Sequence, residues 1–151
     1  MHVTHDEGSS IFHLSGVIDE TTQFEHHFGT PKKTITLICK EVTRINSVGV
    51  KSWIRYFQSL KGVTIIFQEC SLAIVEQLNS FSNFASGGTI QSIYLPFLCQ
   101  NCQHDFVALC EKATLEARQY RVPSSPCPHC QGRAVFDDTD EFFAFARQVA
   151  K

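Results

Sequence analysis

The sequence predicts an α/β fold: a mostly parallel or mixed sheet with packed helices, interrupted by a small four-cysteine ribbon. Three observations predict it. Short β-branched or apolar runs alternate with stretches of helical apolar period, two CxxC pairs stand 24 residues apart, and one more helical stripe follows the second pair. The 151 residues are 43% hydrophobic, enough for one buried core and too few for several.

Ser10 to Ile18 reads as a strand whose apolar residues are interrupted at Gly16, the mark of a bulge. Glu20 to Phe28 offers a short helix closed by Gly29 and the Thr30-Pro31 turn. Thr34 to Cys39 (TITLIC) is β-branched and apolar nearly throughout, which predicts a central strand covered on both faces. From Ser47, residues Val50, Trp53, Ile54, Phe57 and Leu60 fall on one helical stripe, with Asn46 or Ser47 as N-cap and Gly62 beyond the end. Val63 to Gln68 is a further strand. Ser71 caps a helix lined by Ile74, Val75, Leu78 and Phe81, and Gly87-Gly88 ends that unit before a short strand from Thr89 to Tyr94. After the cysteine segment, Asp138 to Ala150 reads as a last helix with Phe142, Phe145, Ala146 and Val149 inward and a capping box of Asp138 and Glu141. Its stripe needs a surface, so it is expected to dock back on the sheet. The predicted organisation is an α/β unit over 1–94, a ribbon insertion over 95–137, and a returning helix over 138–151.

Cys99, Cys102, Cys127 and Cys130 form the two CxxC pairs. Two CxxC turns facing one another supply four soft ligands around one ion, the closed tetrahedral set of a structural zinc site. Zn2+ is therefore the expected cofactor, with a structural role; iron takes the same sulfur set. Between the pairs, Asp105 to Cys110 and Arg118 to Val122 are predicted to form a hairpin. A redox CxxC needs one motif rather than two, and the spare ligand types Cys110, His104 and His129 are read as having no metal role. Cys39 and Cys70 are expected in the core. His26-His27 and Asp137-Asp138 read as solvated runs, His13 as a surface or hydrogen-bonded residue. Seven cysteines without a basic-apolar export signal at the N-terminus point to a reducing, cytoplasmic setting. No apolar stretch approaches the roughly 20 residues of a membrane-spanning helix.

Thirteen Lys+Arg against fifteen Asp+Glu give a net charge of -2, so no global field attracts nucleic acid. Within 95–137 the cations Lys112, Arg118, Arg121 and Arg133 are matched by Asp105, Glu111, Glu116 and Asp137. A zinc-ribbon protein binding nucleic acid on an α/β scaffold is thus the alternative reading, and it lacks the basic face it requires. No Ser/His/Asp set, phosphate loop or paired carboxylates point to an enzyme.

The segment Leu14-Ser-Gly16-Val-Ile-Asp19 resembles the Gly-x-x-Asp that ends an early strand of STAS domains, the anti-sigma-factor-antagonist family. Asn46-Ser47-Val48-Gly49-Val50, between a central strand and the best helix, resembles that family's Asp-Ser-Ser-Gly-Leu loop. The resemblance covers about residues 10 to 97 and the final helix, and leaves the ribbon outside. It implies a STAS-like, non-enzymatic signalling protein that works by docking on a protein partner, in the family often a kinase-like anti-sigma factor. It also implies a docking or phosphorylation loop of Asp19, Asn46, Ser47, Val48 and Gly49. The family's phosphoacceptor position is occupied here by Val48, which has no hydroxyl; Ser47 is the substitute acceptor, or else a helix cap. Neither the oligomeric state nor the partner's identity is read from the sequence.

Overall fold

The computed structural model describes residues 1–149, with side-chain surroundings through residue 146. It is a mixed α/β protein of two sheets. The first has the order β1-β2-β3-β4-β5, from β1 (His2–Asp6), β2 (Ser9–Ile18), β3 (Thr34–Ile45), β4 (Thr64–Gln68) and β5 (Thr89–Ile90). Strands β2 to β5 are parallel, and β1 pairs antiparallel with β2. The hairpin β1-β2, absent from the expected order, turns at Glu7-Gly8, with Gly8 at φ +72°. Val3 and Thr4 supply the β-branched pair that, with this turn, carried its signal.

Helices α1 (Phe24–Phe28), α2 (Ser47–Ser59) and α3 (Leu72–Ser80) connect the parallel strands. Because the strands follow one another in a single direction across the sheet, right-handed crossovers lay all three helices on one face. That corrects the reading of Thr34 to Cys39 as covered on both sides: Ile35, Leu37 and Cys39 are buried, while Thr34, Thr36 and Ile38 are half-exposed. The strand also runs on to Ile45, six residues further than its apolar core. The bulge predicted at Gly16 is present, with φ +75° and register breaks on either side.

The core between sheet and helices is aromatic. Trp53 is fully buried, stacks on Phe84 at 4.5 Å and donates its indole N–H to the Phe84 carbonyl at 3.0 Å. Phe12 stacks on Phe28 at 4.0 Å, and Phe24 packs edge-on against Trp53. Offset and edge-on ring pairs of this kind add to the area term of burial. Phe81, expected on the α3 stripe, instead caps the helix in extended conformation and is exposed, because the helix stops one residue before it.

The expected strand from Thr89 to Tyr94 breaks at Gln91. β5 stays in the first sheet, whereas β6 (Ser92–Cys99) leads the second, ordered β7-β6-β9-β8 with β7 (Asp105–Glu111), β8 (Ser125–Pro126) and β9 (Arg133–Phe136). β6 is continuous across positions 94 and 95. The hairpin expected between Asp105–Cys110 and Arg118–Val122 does not form. β7 pairs with β6, and residues Lys112–Ala117 form α4, held by a Lys112–Glu116 ion pair at 2.9 Å. Gln119 and Tyr120 then take left-handed φ values of 55° and 60°, which turn the chain where a strand had been expected.

The last helix opens as a 3-10 turn (Asp140–Phe143) and continues as α5 (Ala144–Val149). Its cap is Thr139, whose hydroxyl accepts from the Glu141 N–H at 3.3 Å, and not the Asp138 and Glu141 box. It docks on α3 of the α/β unit and on β9 of the second sheet. Asn79 donates to the Phe142 carbonyl at 2.9 Å and accepts from the Phe145 N–H at 2.8 Å. Phe143 lies on Phe136 and Tyr120, so the same turn also closes the ribbon. The expected inward position Val149 and helix end Ala150 lie outside the described side chains and residues. No helix among the described residues is long and apolar enough to cross a membrane.

Two predictions follow from this packing. A Cβ on Gly49 would overlap the Ile18 carbonyl oxygen and stand 2.8 Å from the Ile18 carbonyl carbon, so Gly49→Ala is expected to cost about 1–3 kcal/mol in denaturant unfolding. His13, stacked on His2 at 4.2 Å, is held below its usual value of 6.5 by burial first and then by His2 and Lys40, against the weaker pull of Glu41 and Glu69. A histidine depressed in the folded state contributes stability that is present above its unfolded value and lost as pH falls. Unfolding curves should therefore weaken as pH drops below 6.5, and His13→Gln should flatten that dependence.

Candidate metal centre and the α2 loop

β6 delivers Cys99 and β7 begins six residues later, so the first CxxC is the turn of a hairpin. The second CxxC lies between β8 and β9, which pair with each other. The two turns repeat one another bond for bond. Cys99 N donates to the His104 carbonyl and Cys127 N to the Gly132 carbonyl, each at 2.9 Å. Gln103 N returns to the Cys99 carbonyl at 3.1 Å and Gln131 N to the Cys127 carbonyl at 2.8 Å. Both glutamines are left-handed, at φ 63° and 62°. His104 and His129 stack across the gap at 3.9 Å, 6° from parallel.

The knuckles bring four sulfur atoms together. Cys99, Cys102, Cys127 and Cys130 Sγ all lie within 4.8 Å of one another, with Cys99 to Cys130 at 3.5 Å and Cys102 to Cys127 at 3.7 Å. A tetrahedron of sulfurs each about 2.3 Å from one ion has edges of about 3.8 Å, so the cluster already has the size a single ion demands. Its N–H groups are aimed at sulfur. Asn101 N and Cys102 N donate to Cys99, His129 N to Cys127 and Gly132 N to Cys130, at 3.3 to 3.4 Å. The Asn101 side-chain amide adds a bond to Cys130 at 3.4 Å. Gly132 is required there, since a Cβ would stand 2.8 Å from the Asn101 Cβ.

These bonds favour thiolate at Cys127 and Cys130, whereas at Cys102 the His104 N–H is outweighed by desolvation and the neighbouring sulfurs, which push the thiol up to about 12. The Asn101 amide, with the Gly132 N–H, holds the Cys130 thiol down to about 6. Burial works against Cys127, yet the N–H groups of Cys130 and His129 keep it below its usual value. The donor set therefore fits a metal ion on size and number, and four cysteines would complete a tetrahedral site. Cys110, His104 and His129 stand outside the four, as expected. Cys39 and Cys70 are fully buried in the core.

The second candidate site lies at the carboxyl ends of β2 and β3. The end of β2 and the start of α2 meet there: Asn46 N donates to the Ile18 carbonyl at 3.1 Å, and Gly49 rests against the same carbonyl. Asn46 caps α2 by accepting from Gly49 N at 2.8 Å, which selects Asn46 over Ser47 from the two caps expected. Ser47 and Val48 are left exposed, Val48 at 46%, beside Val17 at 44%. Asp19 does not bond to this loop. Its carboxylate accepts from the Thr21 hydroxyl at 2.6 Å and the Thr21 N–H at 2.9 Å, which hold it below its usual range, while Glu20 reaches Asn46 at 2.9 Å. Sequence reading missed Glu20 and Asn101, because nothing in their local pattern shows which long-range neighbour each will meet.

Cys102→Ser is expected to abolish stoichiometric metal binding and expose residues 95–137 to protease, while Cys110→Ser retains both metal and resistance. Metal content by mass spectrometry and a limited digest read this out; resistance retained by Cys102→Ser would refute it. No protein-family model, curated protein or solved structure matches this chain.

Proposed function

We propose that this chain is a cytoplasmic, non-enzymatic docking protein, STAS-like in its α/β unit, whose ribbon carries a structural zinc ion. The observation that carries the reading is the closed four-sulfur cluster at the end of β6. A catalytic zinc keeps a coordination position for water or substrate, and here four cysteines would fill all four. Zinc bound there supplies a fixed tetrahedral crosslink, worth about 10–16 kcal/mol of apparent binding in small zinc modules. Cys99, Cys102, Cys127 and Cys130 would hold it, and Asn101 would orient and stabilise the thiolate of Cys130.

The docking face in this reading is the α2 loop. Gly49 packs α2 hard against the end of β2, and Asn46 caps it, so Ser47 and Val48 project from a rigid edge. A helix N-terminus favours a negative neighbour. Phosphate on Ser47 would bring a charge of about -1.5 to -2 to it and alter what the face accepts. The partner in this reading is a protein, of the kinase-like anti-sigma kind that STAS domains engage.

Affinity capture from host lysate, under reducing conditions and without chelator, tests both halves. Wild type is expected to capture a kinase-like or sigma-pathway protein that Ser47→Asp loses. Nuclease-sensitive capture of nucleic acid, indifferent to Ser47→Asp and lost on metal removal, would replace this reading with a nucleic-acid-binding ribbon. Iron in place of zinc in the purified protein would overturn the metal assignment alone.

A further inference from the structure

The second sheet has two faces of different character. One packs Leu95 and Phe97 against Leu115 and Ala134 in the core. Side chains alternate along a strand, so the pairs Tyr94↔Leu109, Pro96↔Val107 and Leu98↔Val135 place six apolar residues together on the other face. No helix among the described residues covers Val107 and Leu109, which are 47% and 46% exposed. Through Pro96 this face continues into a groove of about 400 Å³ beside α3, lined also by Leu72 and Val75, with Leu72 39% exposed.

The rim of this surface is acidic. Asp105 and Glu111 stand at the two ends of β7 on the same face as Leu109. Glu76, Asp137 and Asp138 line the groove. The neighbouring cation Lys112 is engaged by Glu116. Arg133, the one cation that the register puts on this face among the described residues of β6, β7 and β9, lies two strands away from β7. In addition, β7 is an edge strand bonded only to β6, so every second backbone N–H and C=O along it points outward.

We propose that β7 and the apolar face beside it receive an extended basic-apolar segment of a partner protein, added as a further strand. Main-chain bonds to β7 supply part of the affinity, and alternate side chains read the face. Aliphatic residues of the segment lie over Val107 and Leu109, and its Lys or Arg residues meet Asp105, Glu111 and the carboxylates of the groove. A second copy of this chain is the poorer occupant, since it would bring the same acidic rim to the contact; like charges repel nucleic acid equally. The proposal shares with the docking reading only the idea of protein recruitment and uses a different surface from the Ser47 loop.

The test is an NMR titration of the full-length, zinc-loaded, isotope-labelled protein with two synthetic eight-residue peptides, one alternating valine with lysine and one alternating valine with glutamate. The lysine peptide is expected to shift the amides of β7, and its binding to weaken by at least about tenfold in half-molar salt. Val107→Lys with Leu109→Lys should reduce binding by about tenfold or more, and the neutral Leu109→Thr by less; circular dichroism confirms that each variant is folded. Equal binding of both peptides, shifts confined to the β1 edge, no shift at all, or a concentration-dependent dimer dissolved by Leu109→Lys would each overturn the proposal. Ser47→Asp should leave peptide binding unchanged. Failure of the peptide with Ser47-dependent capture intact would sink this inference and leave the docking reading standing.

Discussion

Strand β6 holds this molecule together. Its first residues are tied to the parallel sheet: Ser92 accepts from Glu69 N at 2.8 Å through its hydroxyl and from Cys70 N at 3.1 Å through its carbonyl, and Tyr94 N returns to Cys70 at 2.9 Å. Seven residues later the same strand ends in Cys99, the first of the four clustered cysteines. A strand of this length is stiff, so the position of the cysteine cluster is set by hydrogen bonds made at Cys70. Ser92 is one of the few buried polar residues, and it is buried because both its polar groups are used there.

The remaining contacts brace that strand from two sides. α4 follows β7 and lays Leu115 against Leu95 and Phe97, while the 3-10 turn sets Phe143 on Phe136 and Tyr120 of the ribbon and Phe142 beside α3. The hydrogen bonds of Asn79 lock that turn with both halves of one amide. The forty-odd residues between β5 and the last helix thus share one apolar core with the α/β unit. A metal ion held by the four cysteines at the end of such a strut would act as a staple, and what it would stiffen is a sheet whose outer face is apolar and ringed with carboxylates.

The α2 loop and β7 illustrate different ways to present a surface. At the α2 loop, rigidity comes from backbone proximity, with Gly49 on Ile18 and the cap from Asn46 leaving Ser47 and Val48 outward. At β7, it comes from strand pairing and the metal-side knuckles, leaving Val107 and Leu109 outward. Neither proposed surface needs a group to move for a partner to approach, so recognition at either would depend on charge and shape already in place.

Local chemistry determined a good part of this protein from its sequence alone. The CxxC spacing named all four clustered cysteines, because two thiols three positions apart converge in a turn whatever surrounds them. The period of Val50, Trp53 and Phe57 defined α2, and the run from Thr34 to Cys39 defined the heart of β3. What tertiary structure decided was wherever a residue had two acceptable local states. Thr89 to Tyr94 suits one strand or two, and the pull of Cys70 on Ser92 split it. Arg118 to Val122 could extend, but α4 and its left-handed exit turned it. The final stripe fitted any apolar surface, and Asn79 of α3 was the one that also satisfied its backbone. Asn46 and Ser47 were both good caps; only the packing of Gly49 on Ile18 selected Asn46. Long-range hydrogen bonds and close backbone contacts settle such choices, and neither has a signature in the spacing of residues along the chain.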